Sequence, residues 1–110
     1  MSRGINKVSL IGNVGKKDVS AYPSGDKVVN IRLATTSSWL EHGTGKKKEE
    51  TQWHNLVVSG RLADIVDEYV VKGNLLYIEG ALKYSKWTDR NGVEKDKTEI
   101  IVRDLQMLGK

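Results

Sequence analysis

One change of hydrophobic period organises this chain. Residues 28–37 alternate, with Val29, Ile31 and Leu33 on one side and Asn30, Arg32 and Ala34 on the other. That is the pattern of a half-buried strand. Residues 52–59 alternate too. Trp53, Asn55, Val57 and Ser59 share one face, while His54, Leu56 and Val58 share the other. The period then becomes helical. Leu62, Ile65, Val66, Tyr69 and Val70 stand at i, i+3, i+4, i+7 and i+8, one stripe of a short helix. The helix is predicted over about 61–71, with Lys72-Gly73 as its C-terminal cap. Residues 75–84 return to period two: Leu76, Ile78, Gly80, Leu82 and Tyr84 against Leu75, Tyr77, Glu79, Ala81 and Lys83.

Strands at either end complete the set. Residues 5–13 read as one, with Gly12 marking a bulge or sharp bend. Residues 98–105 read as the last, through Ile100, Ile101 and Val102. Tyr22-Pro23-Ser24-Gly25-Asp26 is a turn, and Asn91-Gly92 is a hairpin signal. Residues 41–51 read as a polar loop, with Lys46-Lys47-Lys48 at its tip and Glu49-Glu50 partly cancelling that charge. The order β-β-β-α-β-β is that of the OB-fold, a five-stranded, partly open, all-β barrel. Another small barrel, or an α+β sheet covered by the helix, shares much of this pattern.

The 110 residues make a single domain, 1–110. With no cysteine there is no disulfide framework, thiolate zinc site or thiol catalysis. His42 and His54 lie too far apart to form a good metal pair. Gly12-Asn13-Val14-Gly15 lacks the lysine of a phosphate-binding loop. Asp18, Asp26, Glu49, Glu50, Asp89, Glu94 and Asp96 sit in loops or beside lysines, where surface charge explains them. The expectation is therefore no enzyme, no metal and no cofactor. No apolar run approaches the roughly 20 residues of a membrane span, and the polar start Met1-Ser2-Arg3-Gly4 is unlike a signal peptide. A cytoplasmic protein is expected. The 18 basic and 14 acidic side chains leave a net charge of +4, which permits a polyanionic partner.

The aromatic residues sharpen this. The chain has three Trp and four Tyr but no Phe. A buried plug is the ordinary role of a tryptophan. Trp53, however, shares a face with Asn55 and Ser59, opposite Leu56 and Val58, and so is expected outside. Trp87 opens the last hairpin, and Trp39 follows Thr35-Thr36-Ser37-Ser38. Exposed indoles beside cations suit unpaired nucleic acid, because every base offers a π-face for stacking and Lys or Arg can follow the phosphates.

Several motifs are familiar together: Arg3-Gly4-Ile5-Asn6-Lys7-Val8, Ile11-Gly12-Asn13-Val14-Gly15, Thr51-Gln52-Trp53-His54, Glu68-Tyr69-Val70-Val71-Lys72-Gly73, Tyr77-Ile78-Glu79-Gly80, Lys86-Trp87-Thr88-Asp89 and Gln106-Met107-Leu108-Gly109. Over nearly its whole length the chain resembles the bacterial single-stranded DNA-binding protein family. The resemblance implies an OB-fold that binds single-stranded DNA with little sequence preference in replication, repair and recombination. It also implies a homotetramer, with a dimer as the smaller alternative, and DNA wrapped around it. Trp39, Trp53 and Trp87 fall where the family stacks bases. Arg61, Lys72, Lys83 and Lys86 fall on basic positions of the DNA path; Arg3, Lys7 and Arg32 complete the candidate cations. His54 falls on a histidine that the family places at a subunit interface, with a role inside its own subunit as the alternative.

There are departures. Ser59 stands where the family usually has a stacking Phe, and Ser85 where a basic residue is common. The family normally continues into a flexible tail with an acidic tip that recruits repair enzymes, so recruitment by that route is not expected of this chain. Two other readings stay open. One is an OB module whose main partner is another protein or a structured RNA. The other is a hydrolase on the same barrel.

Overall fold

The computed structural model describes residues 3–109; Met1, Ser2 and Lys110 lie outside them. The elements are β1 (Val8–Ala21), β2 (Lys27–Leu40), β3 (Lys47–Ser59), α1 (Gly60–Tyr69), β4 (Leu75–Thr88) and β5 (Glu94–Leu108). The strands close a barrel in the order β1-β2-β3-β5-β4. This is the expected all-β OB-fold.

β1 serves two neighbours. Val8–Asn13 pairs with β4, and Asn13–Ala21 pairs with β2. A strand shared in this way must bend. The irregularity falls between Val14 and Lys16, at Gly15, rather than at the expected Gly12. Gly12 has another reason to be glycine: a Cβ there would overlap the Ala34 carbonyl of β2. Gly80 meets the same limit against the Ile101 carbonyl of β5. Neighbouring strands approach too closely at these two points for a side chain.

The core holds Val14, Val29, Ile31, Leu33, Leu56, Val58, Leu76, Ile78, Ile100 and Val102, all almost fully buried. The alternation read in β2 and β3 is thus confirmed. The helix closes one end of the barrel, but its buried stripe is rotated from the expected one. Ala63, Val66 and Val70 are buried and Leu62 partly so, whereas Ile65 and Tyr69 are 44% and 58% exposed. Ala63 explains the rotation: its small side chain lets the helix lie close to the strands beneath.

The helix ends at Tyr69, with Val70 as its cap in extended conformation, and not at Lys72-Gly73. The Lys17 ammonium of β1 donates to the carbonyls of Val66, Asp67 and Val70 at 3.4, 3.0 and 2.8 Å. The Val66 carbonyl also accepts from the Val70 N–H, and the ammonium adds a partner for the Asp67 carbonyl, one of the acceptors a helix C-terminus exposes, so a glycine cap is not needed. Gly73, at φ +96°, instead turns the chain back onto β1, where its N–H donates to the Val14 carbonyl. A Lys17→Met variant keeps the aliphatic stem and loses the cation. It should lower stability by about 1–2 kcal/mol, read as a shift in the denaturant midpoint. An unchanged midpoint would mean that water serves those carbonyls equally well. On the outer side of the helix, Lys27 bonds Asp67 at 2.8 Å. That bond raises the Lys27 pKa and holds the Asp67 carboxyl below its ordinary value.

Candidate nucleic-acid interface

Beyond the barrel the strands continue as two arms. β2 and β3 pair outward as far as Leu40 and Lys47, and β4 and β5 as far as Thr88 and Glu94. The expected loop 41–51 is therefore shorter than read: residues 47–51 are strand, and residues 41–46 form the turn. Lys47 and Lys48 belong to β3, with Lys48 opposite Trp39 and 3.6 Å from Glu41. β3 and β5 meet only at Leu56–Ile100 and Val57–Ile101, in parallel. Past that contact the arms part, leaving a cleft of about 160 Å³ lined by Trp53, His54, Asn55, Leu82, Thr98 and Ile100.

All three indoles are open to solvent: Trp39 and Trp53 are 49% exposed and Trp87 is 44% exposed. Each has its own setting. Trp53 lies against Gly15, where any side chain would occupy the space of the ring. The Arg32 guanidinium stands 5.2 Å from the centre of the Trp53 ring, within cation–π range. Trp87 has Lys97 at 5.6 Å. Trp39 is opposite Lys48, whereas Trp53 is opposite Ala34. Opposed residues share a face and faces alternate along a strand, so Trp39 and Trp53 occupy opposite faces of one arm.

The candidate cations scatter more widely. Of them, Arg32 is the one placed over a ring among the described residues. Lys83 and Lys86 lie on the second arm, but only Lys83 has the strand parity of Trp87. Lys83 lines a separate cleft with Tyr22, Asn30, Val57, Lys97 and Glu99. Lys72 belongs to the turn that docks on Val14, next to Gly15, the floor of Trp53. Arg61 lies in the first turn of the helix, past the far end of β3, whose last residue is roughly 20 Å along the strand from Trp53. Lys7 is 3.7 Å from Glu79, in a cleft with Gly4 and Arg103. Arg3 is exposed ahead of β1. The Asn6 amide donates to the Leu82 carbonyl and accepts from its N–H, which fastens the N-terminal segment to β4.

His54 is half-buried, with Nε2 2.8 Å from the Thr35 hydroxyl of its own chain. Lys97 was absent from the candidates read in the sequence. Its place follows from the register: Trp87 pairs with Lys95, which brings Lys97, two residues on and on the same face, beside the ring, whereas Asn91-Gly92 read as a two-residue turn sets Asp96 opposite Trp87. The use of Gly15 as a seat for the Trp53 ring has no signal in the sequence. Among the described residues, no group of three His, Cys, Asp or Glu is placed to hold a metal ion. No described helix is long and apolar enough to cross a membrane.

The model of the single-strand binding protein family matches residues 5–108. The chain belongs to the single-strand binding protein family. Among solved structures, this family member is similar to the Plasmodium falciparum single-strand binding protein in its complex with single-stranded DNA. The TM-score is 0.87 and the identity 36%, over 99% of each chain. It is also similar to a deletion mutant of the single-stranded DNA-binding protein from Thermus aquaticus. There the TM-score is 0.80 and the identity 27%, over 99% of this chain and 53% of that one.

Proposed function

We infer that this single-strand binding protein holds single-stranded DNA by stacking bases on Trp39, Trp53 and Trp87, with phosphates met by nearby Lys and Arg. One observation carries the reading: three half-exposed indoles stand on two arms that flank a cleft, with Trp53 lining it, and two of them have a cation over the ring. Stacking contributes about 1–3 kcal/mol per base and does not read sequence. That range was established on single-strand-binding OB folds themselves, so it is carried over to this chain rather than deduced from it. Arg32 and Lys97 stand over rings, Lys48 and Lys95 lie directly opposite Trp39 and Trp87, and Lys83 and Lys86 lie on the arm that carries Trp87. Arg3, Lys7, Arg61 and Lys72 extend the path around the barrel. The role is protective and non-catalytic, in replication, repair and recombination, and the place is the cytoplasm.

The assembly proposed is a homotetramer. The outer face of β1 and β4 supports it: Ile11 and Leu75 are exposed there, beside Tyr77 and Glu79, which hydrogen-bond each other. The Glu79 carboxylate raises the Tyr77 pKa and so keeps its hydroxyl a donor. His54 is proposed at a subunit contact through the exposed edge of its ring.

Adding oligo-dT should quench tryptophan fluorescence. Affinity should fall as salt rises, because bound cations release counterions. With roughly five phosphates neutralised, raising salt from about 50 to 200 mM should weaken binding on the order of 100-fold. Unchanged fluorescence together with no mobility shift would refute the reading. Solution mass with and without the oligomer reports the assembly.

A further inference from the structure

Tyr84 is the most exposed aromatic side chain among the described residues, at 72%, and nothing above gives it a task. It lies on the β4–β5 arm, directly opposite Thr98. Directly opposed residues share a face, with Cβ atoms about 5 Å apart. Thr98 lines the cleft between the arms together with Trp53 and Leu82. The Tyr84 ring therefore stands at the mouth of that cleft. Trp87 is three residues further along the strand and so on the opposite face of the arm. Lys86 follows on the Tyr84 face, about 7 Å along the strand.

Charge favours the same occupant. Residues 83–98 of this arm carry five cations and three acids, whereas residues 39–51 at the end of the other arm carry three of each. That excess lies on the Trp87 face, where Lys83, Lys95 and Lys97 gather, while on the Tyr84 face Lys86 stands opposite Asp96, so a polyanion leaving the cleft is drawn to the arm as a whole. A ring left this open contributes little to the fold, since apolar area stabilises only when it is covered. What it offers is a flat face one step beyond the Trp53 cleft.

We propose that Tyr84 is a fourth stacking platform, taking a base of single-stranded DNA as the strand leaves the cleft, with Lys86 on an adjoining phosphate. The proposal rests on the single-strand reading above and deepens it. The strand then grips the β4–β5 arm on both faces, at Tyr84 and at Trp87.

The test compares the wild type with Tyr84→Phe and Tyr84→Thr, titrated with long oligo-dT at fixed salt. Threonine keeps the strand propensity of the site, so an unchanged unfolding temperature is expected. Tyr84→Thr should bind about 5- to 150-fold more weakly, and Tyr84→Phe should match the wild type. Tryptophan quenching at saturation should persist in Tyr84→Thr. If the wild type itself shows no quenching, it is the single-strand reading that fails. Equal affinity in all three proteins would overturn the proposal. So would equal losses in both variants, which would point to the hydroxyl and not the ring. A change in the solution mass of DNA-free Tyr84→Thr would also overturn it, by giving the ring to self-association.

Discussion

Replacing Trp53 with alanine should weaken oligo-dT binding about 5- to 150-fold, the equivalent of one lost stacked base at 1–3 kcal/mol. The expectation comes from how the ring is held. Gly15 provides a flat seat on one side and Arg32 stands 5.2 Å from the ring centre, so about half of the indole remains for a ligand. A ring fixed in advance loses little conformational freedom when a base arrives. The alanine variant also leaves Arg32 without its aromatic partner, so the remaining cation is less well ordered. Trp53→Phe should recover most of the loss, because a smaller flat ring still fits the seat. Affinity measured at one salt concentration decides the matter. An alanine variant that binds as tightly as the wild type would remove Trp53 from the interface.

Gly80→Ala should lower the unfolding temperature on the order of 10 °C, from an overpacking cost of about 1–3 kcal/mol. The added methyl would fall on the Ile101 carbonyl of β5, with Ile100 also close. β4 has nowhere to retreat, because Gly80 also pairs with Val8 of β1 on its other side. Something in the barrel wall must move. Thermal unfolding at fixed protein concentration, followed by circular dichroism, gives the answer. An unaltered midpoint would show that the wall yields freely there.

Legibility in the sequence followed burial. Val29, Ile31, Leu33, Leu56 and Val58 alternate because one side of each strand faces the core, so β2 and β3 were visible where they form the barrel. Residues 16–21, 47–51, 85–88 and 94–97 are strand as well, yet they are largely exposed on both faces. Backbone pairing holds them, and it leaves no hydrophobic period to read. The helix was visible as a period, but its buried side depended on Ala63, whose small size gives it little weight in a hydrophobic stripe. The exposed side of Trp53 was legible from its neighbours Asn55 and Ser59. The partner of Trp87 was not. Read as a two-residue turn, Asn91-Gly92 would set Trp87 against Asp96. The Asp89 N–H instead donates to the Val93 carbonyl at 3.0 Å, with Gly92 at φ +77°. This makes a three-residue loop and sets Trp87 against Lys95. A shift of one residue exchanges the faces, and with them the sign of the charge beside the ring.

The placement of Trp39 and Trp53 on opposite faces of one ribbon has a mechanical meaning. A polymer that touches both rings must turn around the ribbon's edge. Pulling its ends apart straightens it, and straightening works directly against that turn. With bases stacked on both rings as proposed, tension on the DNA should therefore oppose binding.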